Sequence, residues 1–220
     1  MLPMNVEQAR FNMIEQQIRP WEVLEQDELS LLALVKREDF CPPAYRSLAF
    51  VDTEVPLPGG QCMLAPKVEA RLLQELAVHK HEQVLEVGAG SGYMAALLAR
   101  RAQHVITLEV LPELARFAAE NLRRAWIMNA EVRHASGARG LVEEAPFDAI
   151  VLSGSVAEVP AALLSQLKLG GRLVAIVGQL PIMRAVLFTR SGEHAYSSVD
   201  LFDTVAPRLK GFDEPSRFSF

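Results

Sequence analysis

The stretch VLEVGAGSGYMAALLA, Val84–Ala99, constrains this chain more than any other. A short apolar run leads into glycines at alternate positions, Gly88, Gly90 and Gly92, and an apolar helical run follows at once. That order predicts a strand turning tightly into a helix, because glycine alone enters the left-handed backbone region at little steric cost. Such a turn lets the backbone approach a ligand closely and aims helix-terminal N–H groups at it. The same rhythm repeats downstream. Short apolar runs at Val84–Val87, Val105–Leu108, around Val132, Ala149–Leu152 and Leu173–Val177 alternate with the helical stretches GYMAALLARR, PELARFAAENLRR and VPAALLSQL. Strand and helix alternating in this way predict an α/β, Rossmann-like fold, a mostly parallel central sheet with helices on both faces. RAVLFTR and AYSSVDLFDTVA, separated by SGEH, predict an antiparallel hairpin at the C-terminal edge.

Upstream of this core the pattern is helical and then loop-rich. Val6–Ile18 places Val6, Ala9, Phe11, Met13, Ile14 and Ile18 largely on one side of a helix, and Pro20 stops it. Asp27 is placed to cap a second helix carrying Leu29, Leu31, Leu32, Leu34 and Val35. Prolines and glycines from Pro42 to Gly60 punctuate an extended stretch, and a third helix runs from Pro66 to about Leu76. Residues 1–65 therefore read as an N-terminal helical cap and 66–220 as the ligand-binding core, one structural domain overall, and 220 residues suffice to bury its core.

Composition removes several classes of function. The net charge is −5, and lysines and arginines are dispersed, which argues against a nucleic-acid surface. No apolar run approaches the ~18 residues of a membrane span, and the N-terminus lacks a signal-peptide pattern. Cys41 and Cys62 lie in no metal-binding spacing, His79 and His81 flank Lys80 at a helix end, and no metal site is expected. A reduced, cytoplasmic protein is the simplest reading. Trp21 and Trp126 read as packing residues, with Trp21 also able to line a cleft beneath the cap.

The guest of the glycine turn follows from what surrounds it. There is no P-loop lysine, and GAGSG is GxGxG, not the GxGxxG dinucleotide pattern. Glu109 ends the next strand, VITLEV, about 20 residues beyond the glycines, where a carboxylate accepts from both hydroxyls of a ribose. The competing reading leaves Glu109 as a solvated carboxylate at a strand end. A ribose held without phosphate machinery points to an adenosine ligand, and S-adenosylmethionine fits, its amino-acid portion lying over the glycine turn.

These residues carry a resemblance. VLEVGAGSGYMAALLA resembles motif I of class I methyltransferases in the version found in protein-L-isoaspartate O-methyltransferases. MIEQQIRP, REDFCPPAYRSLAFVDTEVPL, GQCMLAP, APFDAIVLSGSVAEVPAALLSQLKLGGRLVAIVG and VAPRL have counterparts there in the same order. The resemblance implies the class I methyltransferase fold, S-adenosylmethionine as cofactor, and methyl esterification of isoaspartyl α-carboxylates in damaged proteins or peptides. It implies that Gly88, Gly90 and Gly92 form the cofactor turn and that Glu109 holds the ribose. Ser136 and Gly137 fall where the family usually has Asp-Gly beside the adenine. Gln61, Cys62, Met63 and Leu64 would line the acceptor site, where the family pattern reads Gly-Gln-Thr-Ile-Ser-x-Pro. Leu64 thus takes the place of a serine whose hydroxyl lies beside the methyl acceptor. The family's Thr-Ala-Ala-Pro after the fourth strand is replaced by Ser153–Val156, and Ser153 or Ser155 could reach the same space, the alternative being two ordinary polar loop residues. Two rival readings stay open: a methyltransferase of the same fold with a different, small-molecule or protein, acceptor, and a silent cofactor- or partner-binding protein. A nucleic-acid methyltransferase is disfavoured, since no [DN]PP[YF] follows the fourth strand.

Overall fold

The computed structural model describes residues 5–213; residues 1–4 and 214–220, the outer ends of the expected cap and core, lie outside them. Two short strands, β1 (Val55–Leu57) and β2 (Gln61–Met63), pair antiparallel ahead of the main sheet. The main sheet uses β3 (Gln83–Val87), β4 (His104–Glu109), β5 (Ala130–His134), β6 (Phe147–Val156), β7 (Leu167–Gln179), β8 (Ile182–Arg190) and β9 (Tyr196–Thr204). Their order is β5-β4-β3-β6-β7-β8-β9. The strands from β3 to β7 pair in parallel, and β8 and β9 add the predicted antiparallel edge. From β3 the chain moves outward through β4 and β5 and then returns to the other side at β6. The crevice at the carboxyl ends of β3 and β6 is thus a topological switch point, where open α/β sheets hold their ligands.

Period-two alternation sorts the strand side chains between two cores. Val84, Val105, Ala149, Val151 and Val174 join one face, with Leu72 and Leu97 from the helices; Leu85, Val87, Ile106, Leu108, Ile150 and Leu152 join the other. Burial on both faces explains why these strands read as apolar runs. The helices are α1 (Val6–Met13), α2 (Gln26–Leu34), α3 (Pro66–Leu76), α4 (Tyr93–Arg101), α5 (Pro112–Arg124) and the short α6 (Ala161–Leu164). Met13, Ile18 and Leu32 from the N-terminal segment share the first core with Leu72 and Leu97. The helix expected over Val6–Ile18 forms, with a wider π turn at Ile14–Ile18, and Pro20 lies in the 3₁₀ turn that ends it; Phe11, read on its apolar side, instead faces outward and is exposed, while Met13, Ile14 and Ile18 are buried. Among the described residues no helix is long and apolar enough to cross a membrane.

Four local expectations are corrected. Asp27 does not cap α2, which starts at Gln26 behind Glu25; Asp27 sits in its first turn, 3.6 Å from Arg101. The entry is set from outside, by Gln74 of α3, whose Oε1 accepts from the N–H of Leu24 (2.9 Å) and Glu25 (3.2 Å). The helix read from VPAALLSQL contracts to α6 because Gln166 is recruited elsewhere. Its Nε2 donates to Arg139 O (2.7 Å) and its Oε1 accepts from Leu141 N–H (2.7 Å), stitching down the loop between β5 and β6. Ser153–Val156 is strand, not loop: past a register shift, Ser155 N–H donates to Pro207 O (2.8 Å) and Leu209 N–H to Ser155 O (2.9 Å), so the chain after β9 extends β6. Trp126 does not pack; it is 82% exposed at φ +55° just beyond α5, and Ile127 is buried in its stead. Trp21 does pack, edge-on to Phe202 at 5.2 Å.

Candidate active site

The glycine turn closes β3 and opens α4 as its sequence requires. The N–H groups of Gly88 (2.8 Å) and Ala89 (3.2 Å) donate to Leu108 O, anchoring the turn to β4. Gly90 has φ +53°, and a Cβ there would come within 3.3 Å of Leu57. Glu109, at the end of β4, is only 6% exposed, so the solvated-carboxylate reading is wrong. Its Oε2 accepts from Gly90 N–H (2.9 Å) and its Oε1 from Leu111 N–H (3.0 Å). The carboxylate therefore braces the turn, and it lines a cavity with Gln61, Gly88, Gly137, Leu209 and Lys210. At Gly137 a Cβ would stand 2.2 Å from Val87 Cγ1, so only glycine fits between the loop after β5 and the sheet. Ser136 is exposed and lines an adjoining cleft of about 880 Å³ with Ala138, Arg139, Glu158 and Phe212. Gly92 lines neither space; it starts α4, and a Cβ there would crowd the Ala118 backbone of α5 at 3.1 Å.

A second cavity lies across the turn, lined by Cys62, Met63, Leu64, Glu69, Glu86, Gly88, Gly90, Tyr93 and Ser153. Gly88 is common to both, so the Glu109 side and the Leu64 side meet over the turn. Leu64 is buried, and its carbonyl accepts from Arg37 Nη2 (2.7 Å). Arg37 is fully buried, pairs through Nη1 with Glu69, and lies 5.1 Å over the Tyr93 ring. Burial pushes the Glu69 carboxyl up to about 7, against the pull of Arg37. Glu86 is also fully buried: its Oε1 accepts from Ser153 Oγ (2.6 Å) and its Oε2 from Thr107 Oγ1 (2.7 Å). Burial outweighs both bonds and pushes its carboxyl up to about 8. Burial and the adjacent Glu54 push the Cys62 thiol up as well, so it rests as a thiol and not as a nucleophilic thiolate. The two candidate serines separate. Ser153 lines this cavity, whereas Ser155 is buried outside it, its Oγ donating to Ala206 O (2.7 Å).

Sequence reasoning passed over Glu86, Arg37 and Glu69. For Glu86 a signal existed, an acid inside the apolar run VLEV. Arg37 and Glu69 lie 32 residues apart and met only in the fold.

The sequence pattern of the protein-L-isoaspartate(D-aspartate) O-methyltransferase (PCMT) family matches residues 8–204. The chain belongs to this family. A Staphylothermus marinus protein-L-isoaspartate O-methyltransferase is 41% identical over 174 residues, covering 75% of this chain and 77% of that protein. The Rhodopseudomonas palustris protein-L-isoaspartate O-methyltransferase is 38% identical over 207 residues, covering 92% and 95%. In fold, the chain is similar to the Plasmodium falciparum PCMT solved in complex with S-adenosyl-L-homocysteine. The TM-score is 0.80 at 23% identity, over 94% of this chain and 99% of that one. Membership and fold bear out the resemblance read from motif I and its flanking segments.

Proposed function

We propose that this PCMT-family chain is a cytoplasmic S-adenosylmethionine-dependent methyltransferase that esterifies the α-carboxyl of isoaspartyl residues in damaged proteins or peptides. The observation that carries the reading is the meeting of the Glu109-braced glycine turn with the Leu64 cavity at the switch point of the sheet. The residues fit the cofactor. Glu109 offers a buried carboxylate to the ribose, Gly137 lets the loop after β5 sit close on Val87 at the adenine side with Ser136 beside it, and Gly88 and Gly90 let the amino-acid end lie against the backbone. Gly92 supports the turn by packing. The cofactor supplies an electrophilic methyl carbon, so the chain's own task is to hold the acceptor in line with it. A carboxylate acceptor is already ionised at neutral pH and needs no general base. Residues 1–65 act as a cap that builds the acceptor side through Gln61, Cys62, Met63 and Leu64, and residues 66–220 form the cofactor-binding core. Buried Met63 and Leu64 make that side apolar, which supports a second reading, a same-fold methyltransferase with a less polar acceptor.

Incubating the protein with methyl-labelled cofactor, an isoaspartyl peptide and a cell extract separates these readings. Base-labile label on the peptide supports the first; base-stable label on another molecule supports the second. No transfer despite bound cofactor would indicate a binding protein. In calorimetry, Glu109→Ala should weaken the cofactor tenfold to about a thousandfold, because two hydrogen bonds to a charged acceptor are lost.

A further inference from the structure

The acceptor cavity lacks, at Leu64, the hydroxyl that the family pattern would place there, and Tyr93 forms part of the same wall. Tyr93 is the first residue of α4, directly after the glycine turn, and only 2% exposed. Phe40 meets its ring edge-on at 5.5 Å and the Arg37 guanidinium lies over its face, so packing fixes the side chain. Its Oη finds no hydrogen-bond partner among the described residues. The serine hydroxyls lining the cavity are engaged: Ser153 donates to Glu86 Oε1 (2.6 Å), and Ser91 Oγ accepts from the Tyr93 N–H (3.3 Å). A phenylalanine would pack against Phe40 and Arg37 equally well, whereas a buried hydroxyl without a partner costs stability. Such a group in a folded protein is accounted for by what it binds. We propose that Tyr93 Oη is the donor that holds the acceptor carboxylate in this cavity, in place of a hydroxyl at position 64. This rests on the acceptor being a carboxyl group, as proposed above.

The surroundings of the phenol suit this role. The charged groups around it are Arg37, Glu69 and Glu38. Glu69 pairs with Arg37 and Glu38 with Arg10, so neither acid stands uncompensated against an incoming anion. A phenol titrates near ~10 in water and burial pushes this one higher, so it donates without ionising. Tyr93 holds one carboxylate oxygen and leaves the other free to take the methyl group, and its own proton stays in place. As the ester forms, the carboxylate loses its charge, so the bond from Tyr93 is stronger before transfer than at the transition state. Its contribution therefore falls on substrate binding and not on the methyl-transfer step.

The test compares Tyr93→Phe with wild type in methyl transfer to an isoaspartyl peptide, in S-adenosylhomocysteine affinity by calorimetry and in thermal melting. The substitution removes one oxygen and keeps the ring packing. KM for the peptide should rise tenfold to about a hundredfold, as expected for one hydrogen bond to a charged group, with kcat little changed. S-adenosylhomocysteine affinity should stay as in wild type. The melting temperature should equal or exceed that of wild type, a result that a purely structural tyrosine hydroxyl would not give. Adding Leu64→Ser to Tyr93→Phe should bring KM back down. An unchanged KM, or an equal loss of S-adenosylhomocysteine affinity, overturns this assignment alone, since wild-type methylation of the peptide still upholds the proposed function. A lowered melting temperature would show that Oη is bonded within the protein, and likewise overturns it. A folded wild type that binds S-adenosylhomocysteine but never methylates the peptide overturns the proposed function and this assignment with it.

Discussion

At position 64 a leucine, 4% exposed, lines the cavity proposed to hold the acceptor. A substrate carboxylate there forgoes a hydrogen bond and is desolvated against apolar surface, two costs of the same sign that together reach a few kcal/mol. Isoaspartyl methylation should therefore be slow compared with a family member that carries the serine, and Leu64→Ser should raise turnover on a standard isoaspartyl peptide. Wild-type turnover matching such a relative would refute the penalty. Glu86 bears on stability as well. Its carboxyl stands at about 8 in the fold, while in the unfolded chain it titrates near ~4.3. Between those values the folded state binds the extra proton, so the stability this group contributes is complete at low pH and drains away as pH rises toward 8. Glu86→Gln has no such proton to lose. In urea denaturation its stability relative to wild type should improve steadily from about pH 5 to about pH 8; a constant difference would mean that Glu86 is ionised throughout.

Among the elements, the turn between β3 and α4 carries the cofactor reading. Gly90→Val would put a β-branched side chain at φ +53° and against Leu57, a strain of order 1–3 kcal/mol. The added bulk would press on Leu57 at the edge of the first core, a contact that a small shift of one side chain relieves, so the fold should survive it, whereas cofactor binding should be lost. A variant that melts with the wild type and binds the cofactor equally well would show the turn to be misplaced. Elements differ in how far the sequence disclosed them. α3 begins and ends as read because Pro66 is preorganised for a first helical turn and the apolar face runs unbroken to Leu76. α6 was overread because its pattern is helical for longer than its side chains are free to be. Gln166 belongs by spacing to a third turn and by hydrogen bonding to a loop some twenty-five residues upstream, as with Leu141 at a separation of 25. β6 was underread for a similar reason: SGSV looks like loop until the chain after β9 supplies its partner.

At the scale of the whole molecule, the N-terminal segment is joined to the core by buried charge as well as by apolar packing. Arg37, just past α2, reaches Glu69 on α3 and the Leu64 carbonyl, and Arg10 on α1 pairs with Glu38 beside it. Removing one partner leaves the other buried and uncompensated. Arg37→Met should therefore cost about 3–5 kcal/mol in chemical denaturation, while Arg37→Met with Glu69→Leu should recover most of it. A double variant no more stable than the single would show that Arg37 acts chiefly through the Leu64 carbonyl.

The sequence alone determined the architecture and pointed to the glycine turn proposed to hold the cofactor, because both are written in short-range terms. Strand and helix periodicity, glycines at alternate positions and an acid one strand later are local patterns with a single economical fold, and the flanking segments carried the family. It also exposed the leucine at 64. Tertiary structure decided what lies behind those patterns. It turned Glu109 from a strand-end acid into the brace of the glycine turn, and set Gly92 against the Ala118 backbone and Ser155 against the Ala206 carbonyl. It also set Ser153 against Glu86, two residues 67 apart in the chain. The physical reason is one of range: backbone preference and hydrophobic period act over a few residues, whereas the partner of a buried polar group is settled only when distant segments have packed.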